Sequence, residues 1–344
     1  MKSVHLVIPD LFLPKDIAAE VCADLRVPAL EKLLGKGRSE TLQAAPLENK
    51  LCELFGVPCA AEAPVAPISA AFDGLAAGCW LRADPVHLRL QRDQLLLAGA
   101  LLRSEEAVQF CASLNDYFAG QGMEFFAPHP QRWYMRLDAL PRIRTTPLSA
   151  VLGGNVRRAL PTGEDAAHWH RLFNEIQMLL FTHPLNQARE ERGESTINSV
   201  WLWGTGDTLG ALQKTDEYLV SGHPYDSASS DELLVEMFAA AAGVPFAGWS
   251  AQWRDELGDG RHLLVWTGLR SALQRGDLMA WHAALQDFEA GYALPLWQAL
   301  RSGKLAQLQL DILGEHGIRR VMLKRGDSWA LWRRAKRLAE YSMV

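Results

Sequence analysis

Cysteine is scarce and poorly placed for a framework. The five residues, Cys22, Cys52, Cys59, Cys79 and Cys111, are odd in number, form no CxxC pair and all fall in the first third of the chain. That argues against a disulfide scaffold or a cysteine zinc site and reads as reduced thiols used in packing. Long apolar runs are missing as well: no segment approaches the roughly eighteen uncharged apolar residues of a spanning helix. The apolar part of the opening MKSVHLVIPD is too short for a secretory signal, so a cytoplasmic location is expected. Nor is there an excess of positive charge. Thirty-five Lys and Arg against forty Asp and Glu leave a formal charge of -5, with no chain-wide basic field to draw nucleic acid or an anionic membrane. A small anionic ligand or a protein partner remains open. Internal repeats and low-complexity tracts are absent.

What is present suits two domains, since 344 residues with 49% hydrophobic content are ample for more than one core. Residues 3–9 read as a buried strand that delivers Asp10 to its carboxyl end, the edge where ligands sit in open α/β sheets. Residues 27–34 and 47–55 have helical spacing, and the alanine- and proline-rich 59–67 reads as a linker. Between 81 and 97 the chain alternates, with Val86, Leu88 and Leu90 on one face and His87, Arg89 and Gln91 on the other, as a half-buried antiparallel strand does. A helix over 105–118 and a strand over 133–137 follow. Apolar runs at 218–220, 262–267 and 318–323 then alternate with helical patterns over 231–242 and 278–300, which argues for a parallel sheet. The expected architecture is an α/β core domain made of residues 1–60 and 200–344, interrupted by an inserted α+β domain over 61–199.

The richest polar grouping is the stretch HPLNQAREERGESTINSVWLWGTG at 183–206. Asn186 and Arg189, three apart, would share a helical face, and a polar loop would then lead into a buried strand closed by Gly204 and Gly206. The GTG lacks the third glycine and the acidic residue of a dinucleotide fingerprint.

HPLN with AR and then INSVWLWGTG resembles the HPVN…R…IWLWGQG stretch of the archaeal-type cofactor-independent phosphoglycerate mutases of the alkaline phosphatase superfamily. ADPVHLR and the later LNDYF resemble the same family's DPVSFR and LND. The chain also looks like a bacterial group labelled RpfE-type regulatory proteins. The resemblance implies an alkaline-phosphatase-like parallel-sheet core with an inserted domain. It also implies a two-metal phosphoryl transfer through a serine nucleophile. Asp84, Arg89, His183, Asn186 and Arg189 stand inside the matching stretches and become ligand-binding candidates. Arg132 joins them because three guanidinium forks could converge on an anion.

The metal chemistry fares differently. Asp10 matches a metal-ligating aspartate, but the alignment puts Leu47 at the nucleophile, and no serine lies between Ser39 and Gly56. Where the family carries its Asp-Glu-Ala-Gly-His-Asp-Gly-Asp, this chain has Arg270 to Asp277, with Arg270 replacing a ligand aspartate and Gln274 a ligand histidine. The resemblance therefore implies a degenerate mutase-like protein with no cofactor, a binding module for a small anion or a protein. The alternative is a manganese- or magnesium-dependent mutase or phosphatase with a rearranged centre that uses Asp10, Asp277 and His316. Against these stand plainer readings. Asp10 is a turn aspartate, His183–Pro184 a helix-ending turn, and Trp201, Trp266 and Trp329 are core residues. A final helix follows Trp329.

Overall fold

The computed structural model describes residues 1–59, 61–213, 224–253, 258–330 and 332–342. The chain divides into two compact units, one of residues 1–51 and 217–344 and the other of residues 52–216. The expected run at 218–220 lies outside the described residues. Among the described residues no helix is long and apolar enough to cross a membrane.

The first unit is built on a seven-stranded sheet. Its strands are β1 (Lys2–Pro9), β2 (Arg38–Leu42), β10 (Ser227–Ser230), β11 (Phe246–Gly248), β12 (Gly260–Val265), β13 (Gln307–Gly314) and β14 (Gly317–Lys324). Their order is β11-β10-β12-β1-β13-β14-β2. The first five run parallel, and β14 and β2 are antiparallel additions. The α/β core expected from alternating strands and helices is thus present. The edge strand β2, with the sequence RSETL and mostly exposed, carries too little apolar pattern to be read in advance.

Strand alternation divides the two faces of this sheet. Val4, Leu6, Ile8, Leu308, Leu310 and Ile312 point into the main core, packed under helices that include Pro28–Lys36 and Leu294–Ser302. The intervening His5, Gln309 and Asp311 meet on the other face. Residues 278–300 form two α-helices, Leu278–Phe288 and Leu294–Ser302, joined by a π-helical turn at Glu289–Ala293. Glu289 turns away from that segment to accept the Ala29 and Leu30 backbone N–H groups at 2.6 and 2.9 Å, the open donors at the start of Pro28–Lys36.

The second unit is an antiparallel sheet of β3 (Cys79–Gln91), β4 (Gln94–Gly99), β5 (Met123–His129), β6 (Arg132–Leu137) and β9 (Ser199–Asp207), with a small β7 (Ile143–Arg144) and β8 (Thr162–Gly163) pair. Helices Ser104–Tyr117 and Ala166–Phe181 cover one face. Phe110, Leu114, Trp169 and Ile176 from these helices meet Leu81, Ala83, Trp133, Met135 and Leu202 from the sheet. Trp80 and Tyr134 point the other way, onto Ala66 and Ala70 of the helix Val65–Phe72.

Four expectations are corrected here. Residues 59–67 are not simply a linker, because Val65–Phe72 is a buried helix whose Pro67 sits in the first turn, where a missing N–H costs nothing. The strand carrying VWLWGTG is β9, and it hydrogen-bonds β3 from Ser199 to Asp207. It therefore belongs to the second unit, whereas the boundary at 199 assigned it to the core, and Cys52 to Cys59 move with it. Partner strand decides unit membership, and an apolar run does not name its partner. Trp329, read as core, is 60% exposed, with the Arg301 guanidinium 5.1 Å from its ring centre. The final helix is reduced to the single turn Leu338–Tyr341.

Gly204 has φ +69°, and a Cβ there would lie 3.0 Å from the Val65 Cβ and 3.3 Å from the Ala66 nitrogen. Gly204→Ala should cost about 1–2 kcal/mol from the left-handed backbone alone, and more from the crowding. A thermal melt unchanged by this substitution would contradict the close approach.

Candidate functional sites

At the carboxyl edge of the parallel sheet, β1 is followed by Asp10, held at φ 61° and bonded through its N–H to the Leu313 carbonyl at 3.1 Å. A non-glycine residue in that conformation is uncommon, and aspartate is among the residue types that adopt it most readily. Arg270, which follows β12, donates Nε–H to Asp10 Oδ2 at 3.0 Å. After the neighbouring strand β10, Asp231 accepts the Thr267 N–H at 2.8 Å, and Glu232 accepts the Leu234 N–H at 3.3 Å. Burial pushes both carboxyls up, while their backbone hydrogen bonds and the charge of Arg270 pull the other way. The edge is therefore acidic, with a guanidinium set among the carboxylates.

The two metals that the resemblance implies do not fit these residues. Asp10 already has Arg270 as its cation. Asp277 is exposed and caps the helix Leu278–Phe288 by accepting the Ala280 N–H at 2.9 Å. His316 is exposed in the turn between β13 and β14. Among the described residues no group of three or more His, Cys, Asp and Glu is arranged to hold an ion. Leu47, at the nucleophile position, is buried at the start of the helix Leu47–Phe55.

Sequence reading overlooked a second constellation in the same unit. Asp311 on β13 is fully buried, and it takes two hydrogen bonds from Arg320, Nε at 2.8 Å and Nη2 at 2.7 Å. Lys50 Nζ lies 2.9 Å from Asp311 Oδ2, and His5 Nε2 lies 3.1 Å from it. Burial would raise the Asp311 carboxyl, but Arg320, His5 and Lys50 outweigh it and hold the group well below the usual carboxylate range. Burial also lowers His5, favouring a neutral ring that donates from Nε2 to Asp311 and accepts the Tyr225 hydroxyl at Nδ1, 2.7 Å away. These side chains converge on Asp311, which makes the cluster a structural tie of β1, β13 and β14 to the helix Leu47–Phe55.

In the second unit the residues singled out from sequence separate. Asn186 donates to the Leu180 and Ile197 carbonyls at 2.7 Å each and accepts the Ile197 N–H at 2.8 Å. Arg189, 2% exposed, bonds the Ser195 and Leu101 carbonyls at 2.9 and 2.8 Å and Glu106 Oε2 at 2.7 Å. His183 caps the helix Pro184–Glu191 and sits 2.9 Å from Ser113 Oγ. Asn186 and Arg189 brace the loop that feeds β9, while His183 ties the start of its helix to the helix Ser104–Tyr117. Arg89 is exposed, with Gln91 Oε1 at 3.4 Å, and Arg132 is bidentate to Asp73 at 2.7 and 3.0 Å. Arg89, Arg132 and Arg189 thus share no partner among the described residues.

Asp84 does reach a polar cluster, and its partner is Arg82. The guanidinium lies over the Tyr134 and Trp203 rings, 5.3 Å from each centre, and meets Asp84 Oδ1 at 2.5 Å. Trp203 Nε1–H donates to Asp84 Oδ2 at 2.7 Å. Burial pushes the Asp84 carboxyl up, against the pull of Arg82 and Trp203. The Tyr134 hydroxyl donates to Asp73 at 2.5 Å, and although burial acts to raise Asp73, Arg132 and Tyr134 together hold it below its ordinary value. A register shift in the β3–β9 pairing between Trp80 and Arg82 marks the place, the kind of irregularity that re-aims a side chain. Arg82 could have been found, since it stands two residues before Asp84 on an alternating strand. Asp73 gives no such signal.

Comparison with known proteins bears on this arrangement. No family model matches the chain. The 2,3-bisphosphoglycerate-independent phosphoglycerate mutase of Methanosarcina mazei is 24% identical over 198 residues, 53% of this chain and 48% of that protein. A probable enzyme of the same name from Geobacter sulfurreducens is 39% identical over 56 residues, 16% of this chain and 14% of its own. The match to the first of these spans about half that relative's length. Among solved structures, the PH0037 protein of Pyrococcus horikoshii superposes with a TM-score of 0.55 at 13% identity, over 99% of this chain and 92% of that one. The chain is thus a homologue, at low identity, of the cofactor-independent phosphoglycerate mutases.

Proposed function

We propose that this chain is a phosphoglycerate-mutase-like binding module that has given up two-metal phosphoryl transfer. The observation that carries the reading is the Arg270 guanidinium seated on Asp10, where the resemblance calls for a cation and a ligand aspartate. A fixed positive charge satisfies the carboxylate permanently, and a divalent ion at the same place would be repelled. Leu47, buried and without a nucleophilic atom, supports the same conclusion. The ligand is a small anion such as a phosphorylated metabolite, and the role is regulatory, as in the bacterial RpfE-type group, within the cytoplasm. The five free cysteines are in keeping with that compartment. Arg132 is the anion's point of contact. Its pairing with Asp73 is part-buried, so a ligand carboxylate or phosphate can share the guanidinium.

Thermal melts with excess manganese and with 3-phosphoglycerate test this directly. Manganese should leave the melting temperature of the dialysed protein unchanged, and phosphoglycerate should raise it, with the rise lost in Arg132→Gln. A manganese-dependent rise, or stoichiometric metal surviving dialysis, would instead establish the rearranged metal enzyme. Silence to both ligands would turn the reading toward a protein partner.

A further inference from the structure

The first unit carries an aromatic pocket of about 460 Å³ that neither Asp10 nor Arg270 lines. Its floor is built where two parallel strands end and a π-helical turn passes beneath them. Trp266 follows β12, Trp249 follows β11, and the turn Glu289–Ala293 brings Tyr292 alongside Phe288. The four rings lie nearly parallel. Trp249 stacks on Tyr292 with ring centres 4.1 Å apart at 17°, and Trp266 on Phe288 at 4.2 Å and 16°. Phe288 and Tyr292 are tilted by only 5°, and the two tryptophans by 22°.

Construction of the pocket is specific. The Tyr292 hydroxyl donates to the Ser250 carbonyl at 2.8 Å, and Trp253 N–H donates to the Gly291 carbonyl at 2.8 Å, so the loop after β11 is tied to the π-helical turn. A Cβ on Gly291 would fall 2.6 Å from the Ala251 oxygen, and one on Gly268 would fall 2.5 Å from Trp266 Nε1. Both contacts require glycine. π-Helical turns carry a backbone penalty that an ordinary α-helix avoids, and they concentrate at functional sites. Trp266, Phe288 and Tyr292 are buried below, whereas Gln252 and Asp287 at the mouth are exposed and Trp249 is half-buried.

We infer that this pocket binds a planar aromatic ring bearing positive charge. Aromatic faces are electron-rich and attract cations, and parallel rings offer a flat surface to a flat ligand. Among the described lining residues the charged side chain is Asp287, a carboxylate, and neither lysine nor arginine takes part. An anionic ligand, which the Arg132 cluster would take, finds no complementary charge here. The inference is therefore independent of the reading proposed above.

Calorimetric titration of the whole protein with N-methylquinolinium, with quinoline at neutral pH as the uncharged ring and naphthalene-2-sulfonate as the anion, provides the test. Saturable one-site binding of the cation is expected, weaker for quinoline and absent for the sulfonate. Asp287→Lys, at an exposed position that leaves the rings in place, should weaken the cation a few-fold, because a like charge replaces an opposite one at the solvent-screened mouth. Trp249→Leu should abolish binding while the melting transition persists. Absence of saturable heat with N-methylquinolinium overturns the assignment. So does equal binding of the sulfonate, or binding that both variants leave intact.

Discussion

Asp311→Ala is expected to destabilise the first unit by about 3–5 kcal/mol, the usual result of breaking a buried ion pair from one side. Asp311 is 0% exposed and faces Lys50, itself 1% exposed, as well as Arg320 and His5. Removing the carboxylate leaves the charges gathered around it facing one another in a region of low polarisability, where repulsion is strong. Asp311→Asn, which keeps the shape, should lose nearly as much because it removes the charge and not the volume. Urea unfolding followed by tryptophan fluorescence reads both. A shift below about 1 kcal/mol would mean that water or side-chain movement relieves the cluster, as at exposed pairs.

The same carboxylate sets an acid limit. Its folded-state pKa is depressed, so its stabilisation is fully present above the unfolded value of about 3.9 and is lost as pH falls from there toward the folded one. His5, lowered by burial, acts in the same direction from a higher start. The unfolded ring takes up a proton near pH 6.5 while the folded ring resists, so stability begins to fall there. Melting temperature should therefore decline in two stages on acidification. Asp311→Asn should flatten the lower one.

Arg189→Met carries the second large effect, again about 3–5 kcal/mol, but in the second unit. The guanidinium reaches Glu106, itself buried, together with the Leu101 and Ser195 carbonyls, so one substitution strands a carboxylate and two acceptors. Arg89→Met, at an exposed position with one long contact to Gln91, should stay within about 0.5 kcal/mol. The pair of variants separates two readings of the same motif residues. If Arg189→Met melts like the parent protein and loses phosphoglycerate stabilisation, Arg189 is a ligand residue and the bracing role is wrong.

These contrasts show how far the linear chain could be read. Alternation and helical period depend on neighbours a few residues apart, so β1, β6 and the helices Leu47–Phe55 and Ser104–Tyr117 were legible, and with them the α/β class, whereas the single strand expected over 81–97 is the hairpin of β3 and β4. The replacement of ligand residues by Arg270 and Gln274, and of the nucleophile by Leu47, was visible as residue identity alone. The partners of those residues were not visible. β9 and β2 joined their sheets by hydrogen bonds to strands far away in sequence, and nothing local in VWLWGTG or RSETL names those strands. Arg132 met Asp73 across 59 positions, and Lys50 met Asp311 across a still longer gap. Sequence determined which chemistry the chain could still attempt, because chemistry needs particular atoms. Tertiary structure decided which charges neutralise each other and which rings line a pocket, because pairing and burial depend on three-dimensional distance, which separation along the chain does not set.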